Sequence, residues 1–99
     1  MIAGERYSLR LYVAGSTPRS MLAVKNIRNI CERHLAGLYD LEVIDIYQHP
    51  AAAAGAQIIA APTLIKVSPA PARRAIGDLS NEDKVLSTLG LPISEHDER

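Results

Sequence analysis

The sequence predicts an α/β fold of order β-α-β-α-β-β-α on a mixed four-stranded sheet, and three observations carry that expectation. Residues 7–13 alternate Leu9, Leu11 and Val13 with Ser8, Arg10 and Tyr12, the period of two of a pleated strand. A helical apolar stripe and a second β-branched run follow, which together make a right-handed β-α-β unit. Pro62 then stands directly before Thr63-Leu-Ile-Lys-Val67, a run that otherwise reads as strand. An imide cannot donate to a β-ladder, so it belongs at a strand's first residue or on an edge. Pro62 is a candidate for a structural cis-proline, since a cis X-Pro bond is tolerable there but needs a structural reason.

Each element has its own local reason. After the first strand, Ser16 or Thr17 can cap a helix with Pro18 at its first position, where the missing N–H costs nothing. From Pro18 to about Leu35, Ala23, Ile27, Ile30, Cys31 and His34 fall on one side of that helix. Lys25, Arg28, Asn29 and Glu32 fall on the other. Leu41 to Tyr47 is β-branched and reads as the second strand, with Glu42 and Asp45 suited to an edge. Pro50 opens an Ala-rich helix to about Ile59, weakened by Gly55 at roughly 1 kcal/mol relative to Ala. Thr63–Val67 and Arg73–Ile76 form an antiparallel hairpin around Ser68-Pro-Ala-Pro71. Ser80 or Asn81 caps a last helix with Glu82 and Asp83 in its first turn, Val85, Leu86 and Leu89 on its buried side, and Gly90 and Pro92 at its end. With the first and third strands central and the second and fourth at the edges, this resembles the order of a minimal thioredoxin-like domain, which implies that Pro62 is a cis-proline whose flanking backbone is left free to pair with a ligand. The expectation is one domain over 1–99, with a core of about 7–91 and a charged, flexible tail at 92–99.

Composition narrows the chemistry. The 99 residues suffice for a single core, and 11 Lys plus Arg balance 11 Asp plus Glu, so no global field recruits nucleic acid or an anionic membrane. No apolar run reaches spanning length and no secretory leader is recognisable, which makes a cytoplasmic protein the expectation. One cysteine excludes an internal disulfide, a CxxC redox pair and a cysteine-rich metal site. With no Trp or Phe and four Tyr, there is little for bases to stack on.

In thioredoxins the reactive thiols lie where the first strand hands over to the first helix, whose N-terminus lowers a thiol pKa. Here that stretch is Ser16-Thr17-Pro18-Arg19, which keeps the proline and lacks both thiols. Dithiol exchange is excluded on chemistry alone. Ser16 and Thr17 read as helix caps, and Cys31, in the apolar stripe, reads as core. His34, His49 and His96 show no ligand spacing and read as helix-end packing, loop and tail. Asp45 on an edge strand has no sequence neighbour to tune it as an acid or base. No phosphate loop, nucleophile triad, metal signature or cofactor motif is present, and a binding module rather than an enzyme is expected. Arg73 and Arg74 are adjacent in a strand and point to opposite faces, so at least one is exposed. Such an arginine either receives a partner's carboxylates or simply protects the edge from aggregation.

Together, Leu11-Tyr-Val-Ala-Gly-Ser-Thr-Pro18, Val43-Ile-Asp45, Ala61-Pro-Thr-Leu64 and Pro71-Ala-Arg-Arg-Ala-Ile-Gly-Asp-Leu-Ser80 resemble the circadian clock KaiB family from about Tyr7 to Leu91. The resemblance implies a non-enzymatic regulator that docks on the hexameric ring of a KaiC-like ATPase and promotes its dephosphorylation phase. It also implies competition with a clock-output histidine kinase that carries a similar domain, and a KaiA-like protein as a further partner. A second, rearranged fold assembled as a tetramer belongs to the same family. There Gln57–Ala61 becomes strand and the region after Pro62 partly helical. Ala51–Ala54 and Ser80–Asp83 favour the thioredoxin-like form for this chain.

Carried over position by position, the resemblance supports Lys25, Arg73 and Arg74 as partner-facing basic residues, with Tyr39 and Asp45 matching the pattern around the second strand. Leu22 and Glu42 stand where the family tends to carry basic residues, which removes charge toward a KaiA-type partner and points to a divergent paralogue. The competing expectations are a glutathione-binding thioredoxin relative using Pro62 and Ser16, and a structural homo-oligomer, dimer or tetramer, assembled through its edge strand.

Overall fold

The computed structural model describes residues 5–93; the expected tail from Ser94 onward, His96 included, lies outside the described residues. The elements are β1 (Tyr7–Val13), α1 (Pro18–His34), β2 (Tyr39–Asp45), α2 (Pro50–Gly55), β3 (Thr63–Ser68), β4 (Arg73–Ile76) and α3 (Glu82–Leu89). They build a four-stranded sheet in the order β2-β1-β3-β4. β1 pairs parallel to β2 and antiparallel to β3, and β3 pairs antiparallel to β4. This is the mixed thioredoxin-like arrangement the element order predicts.

The alternation of β1 decides which side of the sheet becomes core. Leu9, Leu11 and Val13, with Leu64 of β3, face Ala23, Ile27, Ile30 and Cys31 of α1 and Val85, Leu86 and Leu89 of α3 in one apolar cluster. Each such aliphatic side chain contributes roughly 1.5–3 kcal/mol by leaving water. Lys66 is the polar exception on this face. It is 3% exposed, with its ammonium beside the turn at Gly90. The opposite face carries α2: Ala52 and Gly55, with Ala56 just beyond the helix, border a cavity over Arg10, Tyr12, Glu42 and Ile44.

Caps fix the helix ends. Thr17 accepts from the Ser20 N–H at 3.4 Å and Pro18 opens α1, while the Ser20 hydroxyl accepts from Ala14 N–H at 3.0 Å. Of the two residues the sequence offered for α3, Asn81 is the cap, accepting from Lys84 N–H at 3.1 Å. Gly90 ends α3 in the left-handed region (φ 68°), which lets Leu91 N–H reach Leu86 C=O at 2.9 Å.

Two boundaries differ from the sequence expectation. β2 runs from Tyr39 and stops at Asp45 instead of Tyr47, because Gln48 and His49 N–H fold back onto the Asp45 carbonyl at 3.1 and 2.9 Å. α2 ends at Gly55, four residues short of Ile59, and Ile59 is 93% exposed. Gln57 takes a left-handed conformation (φ 57°), Gln57 N–H reaches Ala54 C=O at 3.0 Å and Ile58 N–H reaches Ala53 C=O at 3.0 Å. That is the Schellman termination, formed here without glycine at the left-handed position. α2 buries none of its residues, so nothing tertiary opposes its early end.

Leu64→Ala is expected to destabilise the fold by about 2–5 kcal/mol in urea denaturation, the cost of a cavity beneath both helices. A loss under about 1 kcal/mol would mean that this face is not the packed core.

Candidate protein-interaction surface

At one end of the sheet the β1–α1 turn, Pro62 and Gly77 converge where thioredoxins place their sulfur chemistry. The start of α1 offers only hydroxyls. Thr17 is engaged as a cap and Ser16 is exposed. The sole cysteine lies in the last turn of α1, far from the helix start, fully buried among the core residues, and burial pushes its thiol up to about 12. A thiol held neutral and out of solvent is a packing group.

The Ala61–Pro62 peptide is cis, as are Ser68–Pro69 and Ala70–Pro71. The backbone beside Pro62 is less available than the sequence suggested. Gly77 N–H donates to Pro62 C=O at 2.9 Å and the Thr63 hydroxyl donates to Ala60 C=O at 2.5 Å. Asp45, expected at a partner interface, has one carboxylate oxygen committed to the fold. Its Oδ1 accepts from Gly15 N–H at 3.2 Å and Tyr47 N–H at 2.9 Å, tying β2 to the β1–α1 turn.

Tyr39 is also bonded internally. Its hydroxyl donates to Glu32 Oε2 at 2.6 Å, and this hydrogen bond, with desolvation and the Glu32 charge adding to it, pushes the phenol up to about 12. Glu42, on the opposite face, pairs with its cross-strand neighbour Arg10 at 3.3 Å, so the acidic departure at that position has its counter-charge within the sheet. Tyr39 and Asp45 sit at opposite ends of β2 and do not form one site.

The two adjacent arginines of β4 part company. Arg73 pairs across from Lys66 and Arg74 from Ile65, so the first leans to the α1/α3 side and the second to the α2 side. Both are exposed. Arg74 donates to Ala56 C=O at 2.9 Å and Gln57 C=O at 3.3 Å, holding the two carbonyls just beyond α2. Sequence reading missed this role, because residues 17 and 18 positions away give no local signal. Arg73 makes no hydrogen bond or ion pair among the described residues, and Lys25 is exposed on α1.

Spacing also concealed a carboxylate partner for His34. On the last turn of α1 its Nε2 lies 2.8 Å from Glu82 Oε2, while Arg33 reaches Glu82 Oε1 at 2.9 Å. These contacts clamp the end of α1 to the start of α3. No cluster of three metal-ligating side chains occurs among the described residues, and no helix there is long and apolar enough to cross a membrane.

The geometry defines a thioredoxin-like domain that carries no thiol at the end where thioredoxins place theirs and whose open charges include Lys25 on α1 and Arg73 on β4. Solved structures agree on the fold. The N-terminal domain of SasA from Synechococcus elongatus superposes with a TM-score of 0.71 at 22% identity, covering 88% of this chain and 82% of that one. Mitochondrial thioredoxin 3 of Saccharomyces cerevisiae gives 0.69 at 11% identity, covering 87% and 78%. Residues 10–91 match the KaiB domain model. The circadian clock oscillator protein KaiB of Thermostichus vulcanus is 52% identical over 89 residues, 90% of this chain and 82% of that protein. Its counterpart in Prochlorococcus marinus subsp. pastoris is 47% identical over 95 residues, 96% and 89%. The chain belongs to the KaiB family.

An acid whose pKa is raised by folding stabilises the fold at pH below its ordinary value, near 10 for tyrosine, and that contribution is lost as pH climbs toward 12. One of the four tyrosines should therefore ionise late in a phenolate absorbance titration. Tyr39→Phe should remove that late phase; its persistence in the variant would assign it elsewhere.

Proposed function

We propose that this protein is a non-enzymatic, clock-type regulator that docks on the ring of a KaiC-like ATPase and promotes its dephosphorylation phase. Membership of the KaiB family is the observation that carries this reading. The buried Cys31 and the thiol-free start of α1 support it, since they leave this scaffold no sulfur chemistry of its own. Arg73 and Lys25 are the basic groups available to a partner's carboxylates. Arg74 acts chiefly by holding α2, and Tyr39 and Asp45 by keeping β2 in place. A clock-output histidine kinase competes for the same ring, whereas Leu22 and Glu42 remove the charge that a KaiA-like partner would meet.

A matched ring with bound nucleotide should retain the protein on a sizing column. Arg73→Glu should weaken retention at least about tenfold, by reversing an open charge at the contact. Unchanged retention in that variant would remove Arg73 from the interface. Glutathione-dependent turnover abolished by Ser16→Ala would replace the reading with an enzymatic one.

The second part of the proposal is an exchange with a rearranged form over Gln57–Leu91. What favours it is backbone strain at the bounds of the exchanging elements. Gln57 and Leu79 hold φ of 57° and 63°, a conformation that costs a non-glycine residue roughly 1–2 kcal/mol. Two alternative packings need to differ by only a few kcal/mol for both to be used. Two sets of amide resonances confined to residues 57–91 are expected, with Gln57→Gly enriching the set that matches the present fold. A single set under all conditions would end this part of the proposal.

A further inference from the structure

β4 pairs with β3 on one side and, among the described residues, has no strand on the other. Gly77 N–H points into the sheet, to Pro62 C=O, so by the alternation of an antiparallel ladder the N–H and C=O groups of Arg74 and Ile76 point outward. Ile76 is itself 60% exposed. Beside this edge runs a groove of ≈ 480 Å³ between β4 and α3, with Ala75, Leu79 and Val85 among its apolar lining. Arg19 and Lys84 bring two cations to it, against the single carboxylate of Asp78, while the Arg74 guanidinium is turned to the α2 side. That carboxyl is held below its ordinary range by hydrogen bonds from Ser80, with Arg19 adding, so its charge is already engaged. The Arg19 guanidinium reaches across to Gly77, where an added Cβ would meet it at 3.5 Å. The apolar floor, the unpaired strand edge and the surplus of positive charge therefore coincide.

The charges select the occupant. A second copy pairing edge to edge would bring the cations that border both edges to one seam, and like charges brought together destabilise a strand pair. A nucleic-acid strand would find no aromatic side chain in the groove on which to stack. Carboxylates on an extended segment would meet Arg19 and Lys84 while its backbone used the free edge. We infer that the outer edge of β4 and this groove bind an extended, acidic segment of a protein partner, added to the sheet as a fifth strand. The inference goes beyond ring docking and stands whether or not a KaiC-like ring is a partner, since its test contains no ring.

The test uses two blocked hexapeptides, acetyl-Thr-Glu-Val-Glu-Thr-Glu-amide and its Lys-for-Glu counterpart, titrated into the full chain at low salt while amide chemical shifts are followed. The acidic peptide should give saturable shifts at Arg74, Ile76, Gly77 and Lys84 that weaken with added salt. Lys84→Glu should reduce affinity at least about fivefold. An acid near a helix N-terminus is favourable, so this variant keeps the fold. Ile76→Pro removes an outward N–H without touching the β3 ladder and should abolish binding. Should Ile76→Pro fail to fold, Lys84→Glu and Arg19→Glu still decide the matter. Absence of saturable shifts at millimolar peptide, shifts confined to other surfaces, equal response to the basic peptide, or preferential binding of a single-stranded oligonucleotide would each overturn the inference.

Discussion

The antiparallel pairing of β1 with β3 places Leu11 opposite Leu64, and both are completely buried. Every other element is positioned from that pair. β2 and β4 add to its two outer sides, α1 and α3 close over its apolar face, and α2 rests on the other. Since the pleat alternates strictly, a slip of one residue in this pairing would turn Leu9, Leu11 and Val13 toward α2 and expose the helices' apolar stripes. The aliphatic core, built without Phe or Trp, leaves that register as the chief determinant of packing.

The end of the sheet that carries thiols in thioredoxins is here consumed by internal bonds. Asp45 ties down the Gly15 turn, Thr17 caps α1 and Gly77 occupies the Pro62 carbonyl. On α1 and along β4 cationic side chains stand open, and among the described residues the outer edge of β4 has no neighbouring strand.

Long-range side-chain bonds connect distant parts of the chain. Arg74 joins β4 to the end of α2, Asn26 Nδ2 donates to Asp78 C=O at 2.8 Å, and Glu82 is held by Arg33 and His34. Each links a residue of regular structure to a turn or helix end whose backbone groups lack ladder partners. A single charged side chain therefore affects the geometry of an element far from it in sequence. For Arg74 this means that loss of partner binding on substitution has to be separated from loss of α2 docking.

The order of elements, the two central strands, the exact span of β4 and the buried stripes of α1 and α3 were legible in the sequence, because periods of two and of 3.6 are local properties of the chain. Pro62 and the run from Pro71 to Ser80 also pointed to the family without any coordinates. The end of α2 was not legible: its alanines favour helix, yet Gln57 turns left-handed where no tertiary burial holds the helix on. Nor were the separate roles of Arg73 and Arg74, the bond of Tyr39 to Glu32 or the pairing of His34 with Glu82. Composition and periodicity determined which faces are apolar and which chemistry is absent. Only the folded chain decided which charges are engaged and which stay open, because a hydrogen bond depends on distances between residues that the linear order keeps far apart.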